Sequence, residues 1–126
     1  MAGLIGETSI KRGEIWTADL RPGKGYEIAK IRPVLIISSD IVNSISPMVT
    51  VLPISSQLPP VLGSDKIHLS KKQTGLTKES AVLISHIRSI DKSRITKKVG
   101  KIPKGKLAEI EEAVRLTLDL NNSESI

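Results

Sequence analysis

The stretch PVLIISS, residues 33–39, sets four apolar side chains in a row at positions 34–37. Consecutive apolar positions of β-branched and leucine type fit a strand buried on both faces, not one with a wet side. Such a strand has to sit inside a sheet and be covered above and below. With 126 residues the chain is most simply one domain, large enough for a hydrophobic core without staples.

Other segments supply the neighbours. GEIWTADL, with Ile15, Trp16, Ala18 and Leu20, favours a strand, and RPGKGYE is a loop punctuated by Pro22, Gly23 and Gly25. PVLIISS carries Pro33 as its first residue, where no ladder donor is lost. IVNSISP is a connection, MVTVLPIS a strand, SQLPPVLGSD a loop, KIHLS a short strand and KKQTGLTKES a further loop. AVLISHIRSI and RITKKVGKI read as two strands joined as a hairpin around Asp91 and Lys92.

The last element changes period. Leu107, Ile110, Val114 and Leu118 recur at helical spacing, with Leu116 and Leu120 widening the apolar face. Gly105 lies near its start and Asn121 and Asn122 are stop residues. About six short strands and one terminal helix predict a strongly curved sheet or small barrel, mostly β, with the helix over one opening. Residues 1–10 read as a lead, 11–120 as the domain and 121–126 as a polar tail.

Composition removes whole classes of chemistry. Without cysteine there is no disulfide, thiol nucleophile or thiolate metal site, which fits a reducing, cytoplasmic setting. No apolar run is long enough to span a membrane as a helix, and MAGLIGETSI does not read as a signal peptide. His68 and His86 stand apart without metal-ligand spacing, and no nucleotide-binding or esterase motif is present, so neither metal nor cofactor is expected.

The 19 Lys and Arg against 13 Asp and Glu give a net charge of +6, which suits a polyanion such as nucleic acid. Trp16 and Tyr26 are the sole aromatics, too few for a base-stacking platform. A nucleic-acid partner would be held through backbone charge and polar contacts.

Arg32 immediately precedes Pro33, which pushes it toward extended backbone where a loop enters the buried strand. Glu27, Lys30 and Arg32 precede that strand, and Ser55, Ser56 and Gln57 follow another. If the two strands are antiparallel neighbours, Arg32 and Ser55 share a rim. An arginine fork with a nearby hydroxyl can grip a phosphate, and Glu27 can take a proton from a ribose hydroxyl. On these residues alone, a structural Arg–Glu pair with a capping Ser is a slightly better reading. His86 and Arg88, two apart on one expected strand, would share a face.

The blocks KRGEIWTADLRPGKGYEIAKIRPVLIIS, VTVLPISSQ and VLISHIRSIDKSRI, in this order, resemble the MazF/PemK toxins, or mRNA interferases. That resemblance implies an SH3-like barrel of the CcdB/PemK type with a C-terminal helix, acting as a homodimer. It implies metal-independent cleavage of single-stranded RNA at short motifs, leaving a 2′,3′-cyclic phosphate and a 5′-hydroxyl, under restraint by a cognate antitoxin. The family's catalytic arginine falls on Arg32, its threonine on Ser55, its loop glutamate on Glu27 and its strand arginine on Arg88. Gly25, Lys30, Ser56, Gln57, His86 and Arg88 are the implied RNA contacts.

The chain departs from the family pattern at two places. Ser55 lacks the methyl of threonine, and His86 stands where members commonly carry glutamine, which bears on base preference. The rival from the same fold is a non-catalytic toxin acting by protein contact, as the gyrase-poisoning CcdB proteins do. The Glu27, Arg32–Pro33 and PISSQ features favour the nuclease.

Overall fold

The computed structural model describes residues 9–120. Seven strands form an antiparallel sheet: β1 (Glu14–Asp19), β2 (Ile31–Ile36), β3 (Met48–Ser55), β4 (Lys66–Leu69), β5 (Ser80–Leu83), β6 (Arg88–Asp91) and β7 (Ile95–Lys101). Their order is β4-β5-β3-β2-β1-β7, with β6 also paired to β3. Among the described residues three α-helices accompany them: α1 (Asp40–Ile45), α2 (Lys71–Thr74) and α3 (Lys104–Thr117).

Three of the four residues of the doubly apolar run do what its pattern demands, while Ile37 lies past the end of β2 and is partly buried. Val34, Leu35 and Ile36 are all fully buried, between β1 on one side and β3 on the other. Alternate side chains feed two cores. Leu35 joins Ile15, Leu52, Ile54 and Ile110, while Val34 and Ile36 join Trp16, Ala18, Val49 and Val51. The first core is closed by α3, through Ile110 with Leu107, Ala113 and Val114 packed beside it. The second is flanked by Ile10, Ile28 and Ile95, so the loop before β2 helps to roof it.

Several expectations need correction. AVLISHIRSI is not one strand: a 3₁₀ turn, Ile84–His86, divides it into β5 and β6. Both pieces pair with β3, β5 against Ile54 and Ser55 and β6 against Met48 to Val51. The register slips between these ladders by the three residues of the turn. It behaves as an enlarged bulge, a device that bends a strand and re-aims side chains. Consequently His86 and Arg88 do not share a strand face.

The expected hairpin around Asp91 and Lys92 does not form either. β6 pairs with β3 and β7 with β1, and a second 3₁₀ turn, Lys92–Arg94, carries the chain between them. Two supposed loops hold short helices. Ser39 caps α1 by accepting from Val42 N at 3.2 Å, and Ser70 caps α2 by accepting from Lys72 N at 3.2 Å.

Pro33 stands third in β2 instead of first; the ladder to β3 begins only after it, at Val34. Leu118 lies past the end of α3 and is 45% exposed, off the buried stripe. The stop residues Asn121 and Asn122 lie outside the described residues.

Candidate functional site

The register Val34 to Pro53 carries the start of β2 toward the end of β3. Arg32 thereby reaches across, and its Nη1 donates to the Ile54 carbonyl at 3.1 Å. Its Nε is buried and has no partner. Burial pushes the guanidinium below its ordinary value, although arginine stays protonated throughout the physiological range. A half-buried cation with an unused donor is a cost to the fold unless something else completes it.

Arg32 lines a cavity of about 280 Å³ with Pro33, Ile54, Ser56, Lys78 and Ser80. None of its described lining residues carries a carboxylate. Ser55 ends β3 and is 8% exposed; its Oγ accepts from Gln57 N at 3.1 Å, leaving the hydroxyl proton for another acceptor. Ser56 follows the strand, so strand alternation does not decide where it points, and it is Ser56 that forms the cavity wall. Gln57 is exposed.

Glu27 occupies a different place. A second cavity, about 380 Å³, is lined by Glu27, Tyr26, Pro53, Ser85, His86 and Arg88. The exposed Glu27 accepts from Lys24 N at 2.7 Å, and its own N–H donates to the Lys24 carbonyl at 3.1 Å. The turn so closed contains Gly25 at φ +62°, a left-handed position that suits glycine. Lys30 is exposed, and its carbonyl accepts from Leu20 N at 3.0 Å.

The 3₁₀ bulge delivers His86 to the second cavity, and β6 delivers Arg88 opposite Val51 of β3. The buried Nη1 of Arg88 also lacks a partner. Arg32 Nε and Arg88 Nη1 are the buried side-chain polar atoms without partners among the described residues.

The expected residues therefore divide. Glu27, His86 and Arg88 meet around one cavity and Arg32 and Ser56 around its neighbour, while Gly25, Lys30, Ser55 and Gln57 line neither. Consecutive β3 residues, Pro53 and Ile54, contribute one to each. Each cavity is lined by an arginine with an unused donor; the Arg32 cavity adds Ser56, Lys78 and Ser80, and the Arg88 cavity includes the Glu27 carboxylate. Among the described residues no group of three or more His, Asp or Glu side chains is placed to hold a metal ion. Sequence reasoning missed Tyr26, Lys78 and Ser80 as members of these walls; nothing local marks Lys78 and Ser80 out from other lysines and serines, and Tyr26, the single tyrosine, stands in no chemical motif.

The PemK-like, MazF-like toxin family of type II toxin-antitoxin systems matches residues 11–118. The chain belongs to this family. It is 35% identical over 113 residues to the endoribonuclease MazF of Staphylococcus epidermidis, covering 90% of this chain and 94% of that protein. Among solved structures it resembles Deinococcus radiodurans MazF, with a TM-score of 0.78 at 23% identity over 89% of this chain and 98% of that one. A mycobacterial endoribonuclease solved with its cognate antitoxin superposes with a TM-score of 0.71 at 18% identity, covering 91% and 98%. The toxin thus has the expected fold, mostly antiparallel β with a C-terminal helix.

Proposed function

We propose that this MazF-like endoribonuclease toxin works without metal and cuts single-stranded RNA at selected sequences. The pair of buried arginine donors without protein partners, Arg32 Nε and Arg88 Nη1, carries the reading. Phosphodiester oxygens are the ligands that complete such donors, and the charge of +6 draws RNA toward them.

The ribose 2′-hydroxyl oxygen attacks the adjacent phosphorus and the bond to the 5′-oxygen breaks. A 2′,3′-cyclic phosphate and a 5′-hydroxyl result. Glu27 takes the 2′-hydroxyl proton, and the leaving 5′-oxygen gains one from the Arg32 guanidinium, which solvent at once reprotonates. Arg32 holds the non-bridging oxygens as their charge builds, the step at which fixed donors contribute most. The free hydroxyl proton of Ser55, next to the carbonyl that anchors Arg32, donates to the same phosphate.

Ser56, Gln57, Gly25 and Lys30 contact neighbouring nucleotides, and His86 with Arg88 reads the chain in the second cavity. Glu27 and Arg32 line separate cavities, so RNA has to run across both and draw the Glu27 loop toward the phosphate.

The working unit is residues 11–120, acting as a homodimer in the cytoplasm under the control of an antitoxin. Leu116 in the last turn of α3 and Leu118 and Leu120 just past it, 65%, 45% and 51% exposed, are the apolar surface that supports a second copy. No helix among the described residues is long and apolar enough to cross a membrane.

The test is to incubate the protein with a long RNA in EDTA and map the ends. Cyclic phosphates and 5′-hydroxyls at a restricted set of motifs are expected. Loss of cleavage on chelation, restored by magnesium, would overturn the mechanism.

A further inference from the structure

The wall of the Arg32 cavity holds a second cation. Lys78 lies in the segment between α2 and β5, and its backbone is fixed there: Ser80 Oγ donates to the Lys78 carbonyl at 2.9 Å, and Ser80 is 4% exposed. The lysine itself is exposed at the cavity's edge.

Its charge is not neutralised locally. The neighbouring carboxylate, Glu79, is turned away, bonded to His68 Nε2 at 2.7 Å and to Lys71 N at 3.0 Å. Ion pairs hold Lys66 with Asp65, Lys98 with Glu14 and Lys106 with Glu109, while Lys78 is the lysine that lines the Arg32 cavity. No carboxylate among the described residues pairs with Lys78, and none lines the cavity it shares with Arg32.

We infer that Lys78 is a second phosphate-contacting residue of the toxin, closing on the same RNA phosphate that Arg32 grips. This rests on the nuclease reading and extends it. The two cations divide the work by their geometry. The guanidinium fork fixes the direction of two oxygens, while the ammonium on its flexible stem supplies a point charge. Arg32 sets the alignment and Lys78 adds neutralisation from the cavity's edge. The exposed position of Lys78 makes it replaceable without loss of core packing.

Lys78→Gln is compared with wild type and with Lys106→Gln, which removes a paired lysine of α3. Affinity for a single-stranded RNA blocked by 2′-O-methylation is measured from low to high salt, and single-turnover cleavage is measured on the unblocked RNA. Losing one phosphate contact lowers the salt slope of single-strand binding by about 0.7. Cleavage falls by about tenfold, the scale of one charged hydrogen bond. Thermal stability stays at the wild-type value, and Lys106→Gln leaves both slope and rate unchanged.

A Lys78→Gln protein with wild-type slope and wild-type cleavage would overturn the assignment while leaving the nuclease intact. A wild-type protein that binds and cuts no RNA would overturn the function itself, and Lys78 with it.

Discussion

Glu14 and Arg32 stand on adjacent strands, both charged and both largely withdrawn from water, yet they are treated in opposite ways. Every oxygen of Glu14 is used: Oε1 accepts from Lys11 N at 2.9 Å and Trp16 Nε1 at 3.0 Å, and Oε2 from Lys98 Nζ at 2.8 Å. Burial pushes its carboxyl up, but the bonds from Lys98, Trp16 and Lys11 together outweigh that and hold it below the ordinary range. Arg32 makes one bond to a protein carbonyl, keeps a buried N–H unpaired, and feels burial alone. A charge that completes its bonds inside the fold holds the fold together. A charge left incomplete keeps a place for something that arrives.

The sharpest way to break this contrast is to truncate both residues and compare activity with stability. Arg32→Ala should lower single-turnover cleavage by about a hundredfold or more, on the order of 3 kcal/mol for one preorganised transition-state contact. Its thermal midpoint should not fall, because the unpaired donor leaves with the side chain. Arg32→Lys should recover little, since an ammonium cannot reproduce the fork. A well-folded Arg32→Ala protein with near-normal turnover would remove Arg32 from the chemistry.

Glu14→Gln should do the reverse. Stability to urea should drop by about 1–3 kcal/mol as charged hydrogen bonds are lost, with cleavage per folded molecule unchanged. The pH dependence sharpens this. The folded carboxyl is depressed, so its stabilisation is present above the unfolded value near ~4.3 and lost as pH falls through the lower folded value. Wild type should therefore lose more stability than Glu14→Gln on acidification through that window. Equal losses in the two proteins would show that Glu14 is not the satisfied charge it is taken to be.

The smallest effects belong to the paired serines. Ser55→Ala should reduce the cleavage rate more than RNA affinity, because its bond strengthens as charge builds on the phosphate. Ser56→Ala, which strips a hydroxyl from the Arg32 cavity wall, should weaken affinity by a few-fold, about the scale of one neutral hydrogen bond, and spare the rate of bound substrate. Single-turnover rates at saturating protein separate the two. The opposite pattern would exchange their roles.

What the sequence made legible follows a physical line. Local pattern identified β2 as doubly buried, because apolar burial on both faces is written in consecutive residues. The Arg–Pro step marked Arg32 where loop becomes strand. The β3 pairings of residues 81–90 were not legible, since a three-residue slip in register depends on how β3 meets two partners and not on residue type.

The same limit placed His86 on a strand it does not occupy. It also left Glu27 and Arg32 together when they line separate cavities. Lys78 was hidden for another reason. One lysine among many becomes distinctive only when the fold sets it in the wall of the Arg32 cavity, with its neighbour Glu79 bonded elsewhere.

The unpaired Arg32 donor can be followed directly. In protein labelled with ¹⁵N at arginine, the Nε–H resonance of Arg32, assigned by its loss in Arg32→Lys, is recorded while a 2′-O-methyl-blocked RNA carrying the mapped cleavage motif is added. The expected result is a downfield shift of that proton and slowed exchange with water, saturating with RNA binding. RNA binding that leaves the Arg32 Nε–H resonance and its exchange unchanged would contradict the claim that this donor is held for the substrate phosphate.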